Sequence, residues 1–131
     1  DEPLGVAVAR KAEVVVTIHG CRDPSQTVVV GGRHRELKQA ICTALRAAGF
    51  RAVVGTRPGL QAVKSANLCN RCRTGQGIQL EISAGLRRKL FAGLNGHQQG
   101  LPTPLFAPFV AAVRRVLALA GRRTLQNTPT P

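Results

Sequence analysis

Apolar residues along the chain fall into two kinds of pattern, which alternate and predict strands and helices in turn. Short runs rich in Val, Ile and Leu are typical of strands, and apolar residues at helical spacing are typical of amphipathic helices. We predict four strands, at 14–18, 28–30, 52–54 and 78–82. We predict four helices, at 2–10, at 34–48, from Leu86 to Phe91 and from Phe106 to Ala120.

This alternation predicts an α/β fold with a mixed, mainly parallel sheet and flanking helices. The run from Val14 to Ile18 is β-branched and does not alternate, so we expect a central strand that is buried on both faces. The length of 131 residues fits one domain, over 1–120, with a flexible tail over 121–131. The polar connection over 55–76 is long for a compact domain, and loops of that length are usually functional.

Two polar residues lie at or near the carboxyl ends of predicted strands, where ligands bind in sheets of this kind. His19 follows the first strand and could bind a metal ion through a neutral ring nitrogen. Glu81 points away from the apolar face of the fourth strand and could act as a general base on a metal-bound water. The alternatives are a hydrogen-bonded structural histidine and a salt bridge from Glu81 to an arginine.

The long loop carries a cluster of amide and guanidinium side chains, at Asn67, Asn70, Arg71 and Arg73. Planar guanidinium groups bind carboxylates in bidentate fashion, so the cluster indicates a substrate that bears carboxylates. The alternative is a solvated loop in which asparagines occupy turns. Two further histidines, at 34 and 97, are isolated in the sequence, and we assign them no role.

The charge balance is strongly basic, with 19 Lys and Arg against 6 Asp and Glu and a net charge of +13. Such a chain attracts polyanions, which include nucleic acid, an anionic membrane and an acidic polymer, although a coding bias toward Arg would also produce it. No apolar run is long enough to cross a bilayer, and no export signal is visible, so we expect no membrane partner and a cytoplasmic setting.

Four cysteines are present, at 21, 42, 69 and 72, and the last two have C-x2-C spacing. A structural zinc site needs two more ligands at a compatible spacing, and neither a second C-x2-C nor an H-x3-5-H motif occurs. An even number of cysteines does not by itself make a disulfide framework, and the chain is neither short nor visibly secreted, so we expect reduced thiols, with Cys42 a small buried residue of its helix.

Several motifs follow one another in an order that is found in one enzyme family. They are Asp1-Glu2-Pro3, Val-Thr-Ile-His-Gly-Cys ending at Cys21, Val30-Gly31-Gly32, Glu36-Leu37-Lys38, Asn-Leu-Cys-Asn-Arg at 67–71, and the stretch from Gly75 to Arg87. In these motifs the chain resembles the phage-type poly-γ-glutamate hydrolases, over nearly its whole length to about residue 118.

The resemblance implies a fold similar to that of zinc carboxypeptidases and a zinc-dependent hydrolysis of amides linked through a glutamate side chain. It implies that His19 is the last zinc-binding histidine and Glu81 the general acid/base. It places Asn70, Arg71 and Arg73 where substrate carboxylates are held. In that scheme zinc would polarise the carbonyl and supply the hydroxide, and the partner would be an anionic polymer such as poly-γ-glutamate.

The chain departs from the family pattern before His19. The family has a His-Gly-Gly motif followed closely by Glu, which supplies the other two zinc ligands, and no histidine precedes His19 here. We therefore expect the C-terminal part of a hydrolase domain, with the N-terminal part missing and no activity in this chain alone. One alternative is a basic nucleic-acid-binding module, which the shortage of stacking aromatics makes the weaker hypothesis. Another is a structural zinc protein built on Cys69 and Cys72.

Overall fold

The computed structural model describes residues 2–94 and 100–126. Within these ranges the helices are α1 (Pro3–Lys11), α2 (Arg35–Ala47), α3 (Ala84–Leu90) and α4 (Phe106–Gln126), with a 3-10 turn, η1, over Leu68–Arg71. The strands are β1 (Val16–Cys21), β2 (Thr27–Gly32), β3 (Arg51–Val54), β4 (Ile78–Ser83), β5 (Phe91–Ala92) and β6 (Leu101–Pro102). The first four strands form one sheet, and β5 and β6 form a small hairpin that the sequence did not predict.

The main sheet has the strand order β1-β4-β2-β3. The β1–β4 and β2–β3 pairs are parallel, and β4 is antiparallel to β2. This arrangement confirms the predicted α/β fold with a mixed, mainly parallel sheet and flanking helices. It also brings β1 and β4, which are far apart in sequence, side by side.

The first strand differs from its prediction. It begins at Val16, continues through His19 to Cys21, and lies at the edge of the sheet formed by the described residues. The prediction of a central strand buried on both faces is therefore wrong for this structure. Ile18 shows the consequence, since 69% of its surface is exposed although it lies in an apolar run.

One face of the sheet carries the hydrophobic core. Alternate residues of β2 and β4 point toward the helices, because side chains alternate between the faces of a strand. They pack against apolar positions of α2 and α4 in a single cluster. The core members from the strands are Val28, Val30, Ala52, Ile78 and Leu80, and those from the two helices are Leu37, Ile41, Cys42, Leu45, Phe109, Ala112 and Val113.

The second helix matches its prediction closely and has clear end signals. His34, to which we assigned no role, is its N-cap, and its Nδ1 accepts a hydrogen bond from the backbone N–H of Leu37 at 3.4 Å. Gly49 follows the C-cap with φ of +86°, a left-handed conformation that glycine adopts without a steric penalty.

The last helix is longer than predicted. It continues through Gly121 to Gln126, so the first half of the expected tail is helical. Residues 127–131 lie outside the described residues, as does His97. Across the described ranges, no helix combines the length and the apolarity that a bilayer crossing needs.

Candidate active site

The second face of the sheet carries polar side chains on the two strands β1 and β4. The register pairs Thr17 with Gln79 and His19 with Glu81, and paired residues of parallel strands lie on the same face. Because this face lies opposite the core, its polar residues are free to form a site. The register thus places His19 and Glu81 side by side within their strands, whereas the sequence placed them at or near strand ends.

His19 and Glu81 differ in their surroundings. His19 is exposed because β1 is an edge strand, whereas Glu81 lies between two paired strands and is only 9% exposed. Gln79 donates a hydrogen bond from its Nε2 to Oε1 of Glu81 at 2.8 Å. A buried carboxylate is thereby held next to an accessible imidazole, an arrangement that suits acid–base chemistry.

The loop from Gly55 to Gly77 covers part of the same face, and glycines allow its close approach. A side chain at Gly31 would lie 2.6 Å from the carbonyl oxygen of Leu60, and one at Gly77 would overlap the carbonyl of Cys69. The backbone of the loop therefore rests directly on the sheet. Asn67 of the loop contacts Gln79 of β4, whereas His19 on the edge strand is exposed.

Asn70 forms hydrogen bonds within this loop and to the residue that follows β2. Its Nδ2 donates to the carbonyl oxygens of Ala62 (2.6 Å) and Lys64 (3.0 Å), and its Oδ1 accepts from the backbone N–H groups of Gly77 (3.1 Å) and Arg33 (3.4 Å). These four bonds use both protons and both lone pairs of the amide, and the residue is only 4% exposed. The amide of Asn70 is thus occupied by the loop.

The two arginines predicted for substrate binding lie in different places. Arg71 ends the 3-10 turn η1 and donates from its Nε to the carbonyl oxygen of Ala66 at 3.1 Å. Arg73 forms an exposed ion pair with Glu13 at 2.8 Å, next to the segment that leads into β1. Glu13 lies six residues before His19, and an extended chain of that length spans roughly 20 Å. The structure therefore pairs Arg73 with Glu13, ahead of β1, whereas His19 lies within that strand.

The cysteines are free thiols with different electrostatic surroundings. Burial raises the pKa of Cys69, and it also raises the pKa of Cys42 in α2. Burial acts in the same direction on Cys72, but hydrogen bonds from the Thr74 hydroxyl and from nearby backbone amides outweigh it, so the pKa of Cys72 is lowered. Cys69 and Cys72 belong to the loop, and both are buried.

The sequence did not point to two residues near the site, Gln79 and Arg87, whereas Asn67 was already named in the polar cluster of the loop. Gln79 contacts Glu81, and Asn67 donates from its Nδ2 to Oε1 of Gln79 at 3.0 Å. Arg87 donates from Nη1 to the carbonyl oxygens of Ile82 (2.6 Å) and Cys21 (3.1 Å) and so joins the ends of β4 and β1. Gln79 could have been found from the sequence, because residues two apart in a strand lie on the same face and Gln79 lies two residues before Glu81. No local signal marks Arg87.

The donor set for a metal ion is incomplete in this part of the protein. A catalytic zinc ion takes about three protein ligands. Among residues 2–94 and 100–126, no three His, Cys, Asp or Glu side chains come together in a way that could hold a metal ion. The described residues therefore do not form a zinc site by themselves, either around His19 or around the two loop cysteines.

The phenylalanines contribute to packing. Phe50 and Phe109 meet edge to face with ring centroids 5.2 Å apart, and Phe91 and Phe106 form a tilted pair at 5.0 Å. Stacking platforms for single-stranded nucleic acid require accessible aromatic rings, and these four rings are engaged with one another.

Comparisons with known proteins agree with this architecture. The chain is 32% identical over 123 residues to the SPbeta prophage-derived protein YoqZ of Bacillus subtilis (strain 168), with 89% of this chain and 43% of that protein covered. It is 31% identical over 119 residues to the protein YmaC of the same strain, with 89% of this chain and 51% of that protein covered. The chain thus spans about half the length of these relatives.

Two solved structures are also similar. A bacteriophage poly-gamma-glutamate hydrolase superposes with a TM-score of 0.85 at 32% identity, over 92% of this chain and 59% of that one. The zinc-free apo form of YndL superposes with a TM-score of 0.82 at 30% identity, over 90% and 59%. The sequence model of the family described as poly-gamma-glutamate hydrolase matches residues 1–112. The resemblance seen in the motifs is thereby confirmed, and the chain belongs to the poly-gamma-glutamate hydrolase family.

Proposed function

We propose that this chain is part of a zinc-dependent hydrolase that cleaves γ-glutamyl amide bonds in poly-γ-glutamate or a related anionic polymer. The observation that carries the proposal is the pairing of an exposed His19 with a buried Glu81 on the open face of the sheet, in a member of this family. The net charge of +13 supports it, because the polymer is a polyanion.

In this proposal Glu81 is the general acid/base. Its carboxylate takes a proton from the attacking water and returns a proton to the nitrogen of the departing amine. The restricted access of water to Glu81, which is 9% exposed, keeps the carboxylate in one position for both transfers. Glu81 is therefore the catalytic residue of this chain in the proposed reaction.

His19 is proposed as one zinc ligand, through a neutral ring nitrogen. When bound, zinc supplies a Lewis acid next to the scissile amide. The described residues do not supply the remaining ligands, and the chain spans only about half the length of its relatives, so these ligands are proposed to come from a segment of the longer protein. The same segment would cover the edge strand β1, where Ile18 is 69% exposed. On this account the chain alone is inactive.

Substrate carboxylates are proposed to bind on the loop side of the site. Arg71 is the direct ligand in this scheme, and Asn70 acts by fixing the loop on which Arg71 lies. Arg73 would contact a more distant carboxylate, since a γ-linked polymer carries one at every residue. The cytoplasmic setting inferred from the sequence stays a prediction.

The proposal is tested by measuring zinc content and hydrolysis of poly-γ-glutamate for this chain and for a version extended upstream, each with and without His19→Ala. We expect about one zinc per extended chain and cleavage of the polymer, with both lost in the extended His19→Ala variant. An extended protein that neither binds zinc nor cleaves the polymer would contradict the proposal. Tight, salt-sensitive binding of polynucleotide without a zinc requirement would instead favour the nucleic-acid module.

A further inference from the structure

A chain of three hydrogen bonds connects the loop to the buried carboxylate of Glu81. The backbone N–H of Cys69 donates to Oδ1 of Asn67 at 3.3 Å. Nδ2 of Asn67 donates to Oε1 of Gln79 at 3.0 Å, and Nε2 of Gln79 donates to Oε1 of Glu81 at 2.8 Å. We call this series of bonds the amide relay.

The direction of the amide relay is fixed at its start. A backbone N–H can only donate, so the side chain of Asn67 must turn its oxygen toward Cys69 and its NH2 group toward Gln79. Gln79 must then accept with its oxygen and present its own NH2 group to Glu81. Because Asn67 is also the N-cap of η1, the loop determines which group of Gln79 the carboxylate meets.

The burial of Gln79 strengthens the hydrogen bond that this orientation directs to Glu81. Gln79 is 4% exposed, so water does not compete freely for its amide. A hydrogen bond in such a place holds its partner more firmly than one at the surface. The donor occupies Oε1 of Glu81 and leaves Oε2 for the proton transfers.

We propose that Gln79, oriented by Asn67, is a positioning residue that holds the carboxylate of Glu81 with Oε2 directed toward the reacting water. This inference rests on the proposed function, in which Glu81 is the general acid/base. It adds a specific role for the loop. Asn67, the N-cap residue of η1, sets the orientation of the catalytic carboxylate from the other end of the amide relay.

Gln79→Met in the extended protein tests the role, because methionine has a similar length and cannot donate. We expect kcat to fall about 10- to 100-fold with KM changed less than about threefold, since the carboxylate is misplaced and the substrate contacts remain. Gln76→Met is the matched control, because Gln76 lies on the same loop with an exposed side chain. It should keep the kinetics of the wild-type protein.

A second variant preserves the fold of the loop. Asn67→Ser keeps an oxygen that can cap η1 but is too short to reach Gln79, so it interrupts the relay without adding charge. We expect a loss in kcat of the same kind. Wild-type kcat in both Gln79→Met and Asn67→Ser would overturn the inference.

An infrared measurement provides a readout that needs no activity. The chain has four glutamates, so a spectrum of glutamate-labelled protein minus that of Glu81→Gln isolates the Glu81 carboxylate band. This band should move in Gln79→Met and stay in place in Gln76→Met, and an unmoved band would overturn the inference. If Glu81→Gln is inactive while Gln79→Met is fully active, only this inference fails. If Glu81→Gln is fully active, the proposed function of Glu81 fails with it.

Discussion

His19 and Glu81 are register partners on the parallel strands β1 and β4, and they lie on the same face of the sheet. Neighbouring strands are about 4.8 Å apart, so the two side chains leave the sheet side by side. One is exposed at the edge and the other is buried between strands. The relationship places an accessible imidazole next to a carboxylate that is held in position.

The four hydrogen bonds of Asn70 predict that it stabilises the loop. Asn70→Ala should lower the free energy of unfolding by about 2–4 kcal/mol, because it leaves buried backbone groups such as the N–H of Gly77 without a partner. Urea unfolding measures the change, and Gln76→Ala, at an exposed position, should alter it by less than about 0.5 kcal/mol. A change equally small for Asn70→Ala would show that the loop is held by other contacts.

Because Ile18 is exposed, we predict that Ile18→Thr lowers stability less in this chain than in the upstream-extended protein. Ile18→Thr should change the stability of this chain by less than about 0.5 kcal/mol, since little apolar surface is buried there. In the upstream-extended protein, where we propose that β1 is covered, the loss should be about 1–2 kcal/mol.

Leu80→Ala is the control for that comparison. Leu80 is fully packed in the core, so its truncation should lower stability by about 2–5 kcal/mol in both proteins. An Ile18→Thr effect that is equally small in both lengths would contradict the proposed covering of β1.

The opposite pKa shifts of two loop cysteines predict an order of reactivity with pH. Burial acts on both thiols, but hydrogen bonds lower the pKa of Cys72 while the pKa of Cys69 is raised. The thiolate is the reactive form, so alkylation of Cys72 should accelerate at a lower pH than alkylation of Cys69. Peptide mass spectrometry after timed treatment with iodoacetamide measures both rates.

The hydroxyl of Thr74 provides the control for the cysteines, since its Oγ1 lies 3.4 Å from Sγ of Cys72. Thr74→Val should move the acceleration of Cys72 to higher pH, and Thr74→Ser should leave it in place. The same pH dependence for Cys69 and Cys72 in the wild-type chain would refute the assigned surroundings.

The parts of the fold that depend on local periodicity were predictable. The alternation over 78–82 correctly separates Glu81 from the apolar face, because the period of a strand is two residues. The helix predicted at 34–48 agrees within a residue or two with α2, because its apolar stripe and Gly49 are local signals.

Other features depend on neighbours that are distant in sequence. The apolar run before His19 shows that the strand suits a buried place, but it does not show which strands flank it, so its edge position was missed. Gly121 was expected to end α4, yet one glycine disfavours a helix by only about 1 kcal/mol, and the helix continues through it. The engagement of Asn70 depends on backbone groups of residues 33, 62, 64 and 77, which only the folded loop brings together.

The central claim is that Glu81 performs acid–base chemistry in a site completed by zinc. The most direct test is Glu81→Gln in the upstream-extended protein, with zinc content and turnover of poly-γ-glutamate measured on the same preparation. We expect zinc to remain at the wild-type level while kcat falls at least about 100-fold, because glutamine fills the same space but cannot accept and return a proton. Undiminished turnover with zinc bound would contradict the account and remove Glu81 from the mechanism.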